Sequence, residues 1–243
     1  MEATASRHGT VVGRVRGSRG CSLALTCLLM AMVIRGFWPS YFGHLWHGGV
    51  HRPWLIHLHG AIFSGWLVLL LVQGALVAAG RVRWHRRVGQ VGIAYGTLVL
   101  GSGLVVGVAA PVWHVHAGEW TVDRGAGFLL APLGDMALFG GFFGAAIAYR
   151  HRPEIHKRLI LAATVALAFA AVGRMAFASP VVFLLVWLSP LFAAMACDLC
   201  TQRRVHPVSC ISVAVLAVAF VRIFLMQSPG WVRIGRALLR PFL

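Results

Sequence analysis

Acidic residues are nearly missing from this chain: Asp and Glu together number 6 against 22 Lys plus Arg, and Lys157 is the single lysine. The resulting net charge of +16 would suit nucleic acid. However, no glycine-rich phosphate loop is present and aromatic residues do not interleave with the arginines, which excludes that partner. No nucleophile–base pair and no hydrolytic zinc signature stands out either. Cysteine is sparse as well, and Cys21, Cys27 and Cys210 sit in or beside apolar runs, where a small buried residue is the ordinary role. Cys197-Asp198-Leu199-Cys200 has the spacing of a redox motif but no thioredoxin-like context around it.

What the chain has in abundance is apolar length. Hydrophobic residues make up 59% of its 243 positions, and the mean hydropathy is +0.79. No soluble domain hides that much apolar surface, so the fold class is an all-α polytopic transmembrane helix bundle. A helix needs about twenty apolar residues to cross the hydrocarbon. Seven runs qualify: 21–38, 54–79, 88–112, 125–149, 159–178, 180–197 and 208–226. Residues 1–20 read as a disordered basic leader and 227–243 as an amphipathic interfacial tail, with Arg233, Arg236 and Arg240 on one face opposite Trp231, Ile234 and Leu238. The first run follows basic residues, as a signal peptide would, but no small-x-small cleavage site comes after it, so it is expected to remain as a span.

Basic clusters mark the leader and the loops 80–87, 150–158 and 198–207, which fall on one side if the spans number seven. The positive-inside rule then predicts a bacterial inner-membrane protein with its N-terminus in the cytoplasm and its C-terminus outside. The short turn at Ser179-Pro180 is where a miscounted span would reverse the tail. Pro39 is expected to end the first helix, within an aromatic belt at Phe37–Phe42. Gly92-x-x-x-Gly96, Gly103-x-x-x-Gly107 and Gly140-x-x-x-Gly144 predict close helix packing, with the third and fourth spans near the centre. The segments starting His85-Arg86-Arg87 and His156-Lys157-Arg158 look like one helical hairpin used twice, through duplication or through convergent loop chemistry.

Seven of the twelve histidines lie on the expected outer side: His44, His47, His51, His57, His59, His114 and His116. Residues two apart differ by about 200° around a helix, so His57 and His59 point different ways, one to the bundle and one to interface or lipid. His59, deeper and followed by Gly60, is the expected inward one. Imidazole serves metals, haem iron and proton transfer. A single haem b would take ligands at one level, His59 with His116, His114 or one of the 44–51 set; the alternative is a set of wet interfacial histidines. His85 and His156 precede basic residues and read as headgroup anchors.

Arginines inside the membrane are costly and functional or structural in origin. Arg35, Arg174 and Arg222 each lie near the outer end of an apolar run, at a depth shared with His57 and His59. Arg35 and Arg222 are within snorkelling reach of the interface, whereas Arg174 is the expected partner of Asp135, the one acid well inside a span. That pair is either a register-fixing bridge or part of a proton relay or polar cavity, which Gln73 would extend inward. Three guanidinium groups at one level would suit a haem propionate, a lipid phosphate or a carboxylate.

His57-Leu58-His59-Gly60, Gln73 and His85-Arg86-Arg87-Val88-Gly89 together resemble a group of uncharacterised bacterial polytopic membrane proteins with an H-x-H-G opening, a Q in the same span and an H-R-x-x-G start to the next. More loosely, residues 38–175 are similar to small multi-helix families associated with b-type haem or haem-oxidase assembly. The resemblance implies a fold and a location more than an activity. The leading reading of the residues is a haem- or quinone-associated membrane protein with its site on the outer side, with His59, His57, His116 and Arg174 as candidate cofactor-binding residues and Asp135, Arg35, Arg222 and Gln73 as polar or ion-pair partners. Two other functions stay open. One is a transporter or binding protein for a small anionic or lipid-like ligand; the other is a non-catalytic partner in a membrane complex.

Overall fold

The computed structural model describes the backbone of residues 2–49 and 53–243, and side-chain surroundings from residue 20 onward except at 50–52. His51 and Arg52 therefore lie outside the described residues. The described chain is helical, and seven of its helices are long and apolar enough to cross a membrane: Gly20–Trp46, Trp54–Ala78, Val82–His116, Val122–Ala148, Pro153–Gly173, Pro180–Gln202 and Pro207–Leu225.

Helix α1 (Glu2–Phe37) runs back without a break into the segment expected to be a disordered leader. That segment has glycines but no proline to stop a helix propagating from the apolar run. Nor does Pro39 end the first span. A π-helical turn at Trp38–Phe42 absorbs it, with the Gly43 N–H bonded back to Trp38 O, and the helix resumes as α2 (Gly43–Trp46). The wider turn leaves room for a ring that cannot donate a hydrogen bond. Next come α3 (Trp54–Ala78) and α4 (Val82–His116), then α5 (Val122–Phe128), which leads directly into α6 (Leu130–Ala148). The remaining helices are α7 (Pro153–Gly173), α8 (Pro180–Gln202), α9 (Pro207–Phe220), α10 (Arg222–Leu225) and α11 (Pro229–Leu239).

Several starts share one local solution, a capping side chain followed by proline at the first helical position. Ser179 Oγ accepts from the Val181 N–H at 3.2 Å ahead of α8, and Ser228 Oγ accepts from the Trp231 N–H at 3.4 Å ahead of α11. Before α9 the cap is His206, whose Nδ1 accepts from the Val208 N–H at 3.2 Å.

The centre of the bundle is α7, not the third and fourth spans. Its apolar stretch is 61% buried, against 33% for α4 and 39% for the α5–α6 span. Alanines explain this: Ala162, Ala163, Ala166, Ala168 and Ala171 are buried, so neighbours close in on every side. At Gly36 of α1 even a Cβ would collide with the Ala171 carbonyl, so the two backbones touch. The glycine stripe of α4 still does what its spacing predicts. Phe143 and Met136 of α6 fill the notches at Gly96 and Gly103.

Candidate functional site

The hairpin of α3 and α4 is held in register by polar groups at successive depths. At the end bearing the basic loops, the Gln73 amide, oriented to satisfy its neighbours, donates to His85 Nδ1 at 2.6 Å and accepts from the Gly89 N–H at 2.9 Å. Gln73 is thus committed to the H-R-x-x-G segment and lines no polar cavity. The Tyr95 hydroxyl then donates to Ile62 O at 2.9 Å, and farther along His59 comes up against the backbone of Ser102. The second hairpin uses its equivalent histidine in a related way: His156 Nδ1–H donates to Ala146 O at 2.8 Å, clasping α7 to α6. Both histidines are clasps between helices rather than headgroup anchors.

A groove of about 400 Å³ runs between α3 and α4, with Leu55, Leu58, Ile62, Leu98 and Val105 among its walls and His59, Thr97 and Ser102 as its polar points. Leu58, Leu98 and Val105 are themselves exposed, so the groove opens sideways, toward where lipid would lie. The His59 ring packs on Phe63 with centroids 4.1 Å apart, and its Nδ1 is buried with no hydrogen-bond partner. A buried polar atom without a partner is costly and marks a position where a ligand or water can bond. His57 is half-buried and faces the other way, as the spacing requires. It shares a 2.8 Å hydrogen bond with the Tyr41 hydroxyl of the π-turn. Helix α3 lies between α1 and α4, so His57 meets the α1 side and His59 the α4 side.

The other outer histidines do not reach this groove. Ser102 stands beside His59, so His114 and His116 lie about 18 and 21 Å farther along α4 at 1.5 Å per residue. His114 Nδ1–H donates to Glu119 at 2.6 Å and its ring stacks on Trp120 at 4.3 Å, while His116 is exposed. The expected pairing of His59 with His116 or His114 on one haem is therefore wrong, because the rise of α4 carries both well past the level of His59.

Asp135 lies at the depth of His59, since its neighbour Met136 fills the notch at Gly103. Its partner is Arg222, not Arg174: Arg222 Nη2 donates to Asp135 Oδ1. Both side chains are buried, at 8% and 5% exposure, so Arg222 does not snorkel to an interface. Two features bring it inward. The helix breaks at Val221 between α9 and α10, and Gly134 leaves the space through which the arginine stem passes, where a Cβ would come within 2.8 Å of Arg222 Cδ. The guanidinium lies 4.4 Å from the Phe169 ring centroid and also donates to Ala219 O at 3.2 Å.

Arg174 stays on the other side of α7. It caps that helix by donating to Ala170 O at 2.6 Å, lies 4.4 Å from the Phe37 ring, and is close enough for its charge to act on His59. Arg35 is exposed beside it, next to the Gly36–Ala171 contact. Arg174 is five residues past Phe169, or about 7.5 Å farther from the basic-loop end. The single cationic level expected from the sequence thus resolves into two: a neutralised pair at the depth of His59, and Arg35 with Arg174 about one and a half turns beyond it.

One polar cluster carries no signal in the motif pattern. At the basic end, Arg158 of α7 is buried and grips Asp198 of α8 through Nη2 at 2.5 Å and Nε at 3.2 Å. It also donates through Nη1 to the Glu154 carboxylate at 2.6 Å and to Glu154 O at 2.7 Å. Asp198 in turn accepts from the His206 N–H at 3.4 Å, drawing the start of α9 into the same knot. In the sequence Arg158 was one more loop cation and Asp198 the filler of a C-x-x-C. The signal that would have found them is an acid and an arginine each one helical turn inside a span end.

His206 titrates below its ordinary value of 6.5, first because burial disfavours the imidazolium and then because Arg158 repels it, with Asp198 opposing. A histidine depressed in the folded state adds stability above its unfolded pKa and loses it as pH falls through the folded one. Protonation also removes the Nδ1 lone pair that caps α9. Acidification to below the ordinary histidine range is expected to release the Val208 N–H. NMR of the His206 ring and the Val208 amide would follow this, and His206→Asn, which keeps a capping oxygen, should abolish the pH step.

All five cysteines are free thiols, and among the described residues no three His, Cys, Asp or Glu side chains converge as a metal site. Compared with protein families, curated proteins and solved structures, the chain gives no match.

Proposed function

We propose that this chain is a bacterial inner-membrane protein that binds a membrane-dissolved ligand of the quinone class in the groove between α3 and α4. The ligand's apolar tail lies along Leu58, Leu98 and Val105, and its polar head meets His59. The observation that carries this reading is the buried, partnerless Nδ1 of His59 at the wall of an otherwise apolar groove. Such sites are mostly hydrophobic, with a few polar groups that fix orientation. The charge of Arg174 near His59 favours a head that bears oxygen acceptors over a purely aliphatic lipid.

The orientation rests on charge: basic loops in the cytoplasm, the groove's His59 end and the C-terminus outside. A haem held between His59 and His57, His114 or His116 is disfavoured. His57 is bonded to Tyr41, His114 to Glu119, and His116 is too far along α4. A transporter that couples protons through Asp135 is disfavoured, because that carboxylate is already engaged by Arg222.

The test is binding of a short-chain quinone analogue, followed by intrinsic fluorescence, to the detergent-purified protein. His59→Leu should weaken binding about tenfold, the worth of one hydrogen bond of roughly 1–1.5 kcal/mol. Equal affinity in both proteins would remove His59 from the site. A Soret band in the wild-type protein that disappears in His59→Leu would replace the quinone reading with haem.

A further inference from the structure

Helix α11 presents three different faces. Trp231, Gly235 and Leu239 dock it onto α5: the Trp231 indole N–H donates to Ala126 O at 3.1 Å, a Cβ at Gly235 would collide with that same carbonyl, and Leu239 is fully buried. Ile234 and Leu238 form a second face, 53% and 46% exposed. Arg233, Arg236 and Arg240 make the third, turned away from the apolar one, and all three are exposed. Arg236 is already matched by Asp123, through Nη2 at 2.5 Å and through Nε. That ion pair, exposed to solvent, fixes the roll of the helix more than it stabilises it.

We infer that α11 is a docking surface for anionic phospholipid, with headgroup phosphates bound by Arg233 and Arg240 and acyl chains under Ile234 and Leu238. Two observations select this occupant. Arg233 and Arg240 are two turns apart on one face, about 10 Å, which spaces them for separate headgroups rather than for one small anion. The exposed Ile234 and Leu238 would stay in water if a soluble anion filled the site, whereas a lipid covers both faces at once. The docked face rules out free rotation, so the arginines are held toward the headgroup layer before any lipid arrives. The surface also has a route into the bundle. Trp231 holds α5, and Gly127 of α5 abuts the Met226 carbonyl just beyond α10, so lipid seated on α11 bears on the segment carrying Arg222. This inference is independent of the quinone site.

The experiment reconstitutes the full chain in nanodiscs of mixed phosphatidylcholine and phosphatidylglycerol and measures, by native mass spectrometry, which lipid stays bound. Wild-type protein should be enriched in phosphatidylglycerol. The double variant Arg233→Gln/Arg240→Gln should lose about 25-fold of that enrichment, from roughly 1 kcal/mol per arginine near an anionic surface. Arg233→Lys/Arg240→Lys should keep most of it, because charge rather than planar geometry carries the contact. Equal enrichment in wild type and the glutamine variant would overturn the inference. Loss of bound lipid on adding inorganic phosphate at matched ionic strength would overturn it too, by showing a site for soluble anions. Should the glutamine variant fail to fold, the wild type alone decides: enrichment must fall as salt rises, and enrichment unchanged by salt defeats the proposal.

Discussion

Arg222→Met is expected to lower the stability of the bundle by about 3–5 kcal/mol, because it leaves Asp135 buried with no cation. An acid at that depth costs several kcal/mol when nothing compensates it. Arg174→Met should cost about 1 kcal/mol or less, since Arg174 is exposed and caps its own helix. The contrast separates the observed pairing from the one the sequence suggested. A double variant, Asp135→Leu/Arg222→Met, should recover most of the loss, because two apolar side chains need no mutual compensation. Unfolding in mixed micelles with increasing SDS gives all four values. Equal effects of Arg222→Met and Arg174→Met would refute the assignment of the pair.

The knot at the basic end predicts the second large effect. Arg158→Ala removes the group that holds Asp198 and Glu154 and ties together the ends of α7, α8 and the start of α9. We expect a loss of about 3–5 kcal/mol, comparable with breaking a buried pair elsewhere. Glu154→Gln should cost far less, about 1 kcal/mol at most, because its side chain is 53% exposed and solvent screens the interaction. Hydrogen exchange should locate the damage: in Arg158→Ala, protection falls first at the end of α8 and the start of α9 and not at the far end of the bundle. Uniform loss of protection would mean that Arg158 serves the whole core and not this junction.

Much of the fold was legible because apolar length and basic loops act locally. The seven spans follow from runs of hydrophobic residues, and the glycine stripe of α4 follows from spacing alone. Pro39 misled because helix termination is not the sole answer to a proline; a π-turn that widens the backbone is another, and nothing in Trp38–Phe42 distinguishes them. The central position of α7 was hidden for a related reason. Glycine motifs announce close packing, whereas an alanine-rich helix achieves it quietly, through many small residues around its circumference.

At the candidate site, the polar residues singled out in the sequence have other partners than the ones expected. His59 and the Asp135–Arg222 pair share one depth, whereas Arg35 and Arg174 lie a step beyond it, toward the end away from the basic loops. Which arginine meets Asp135 depends on helix adjacency across 87 residues, and adjacency is invisible to hydropathy. Gly134 was the available clue, an empty place beside the acid through which a long side chain could pass. Gln73 was misread likewise, because a polar residue in a span satisfies itself on the nearest backbone before it lines a cavity.

The ion pair between the fourth and seventh spans also sets an order of events during synthesis. The clasps at His85 and His156 close between neighbours, so each hairpin can form as soon as its second helix has emerged. Asp135 must wait until almost the whole bundle has been made before Arg222 exists. Throughout that interval the fourth span carries an unmatched acid at depth, and only arrival of the last span relieves it. A chain halted before Arg222 would keep that defect permanently, which would give a membrane protease a chemical mark of the unfinished protein.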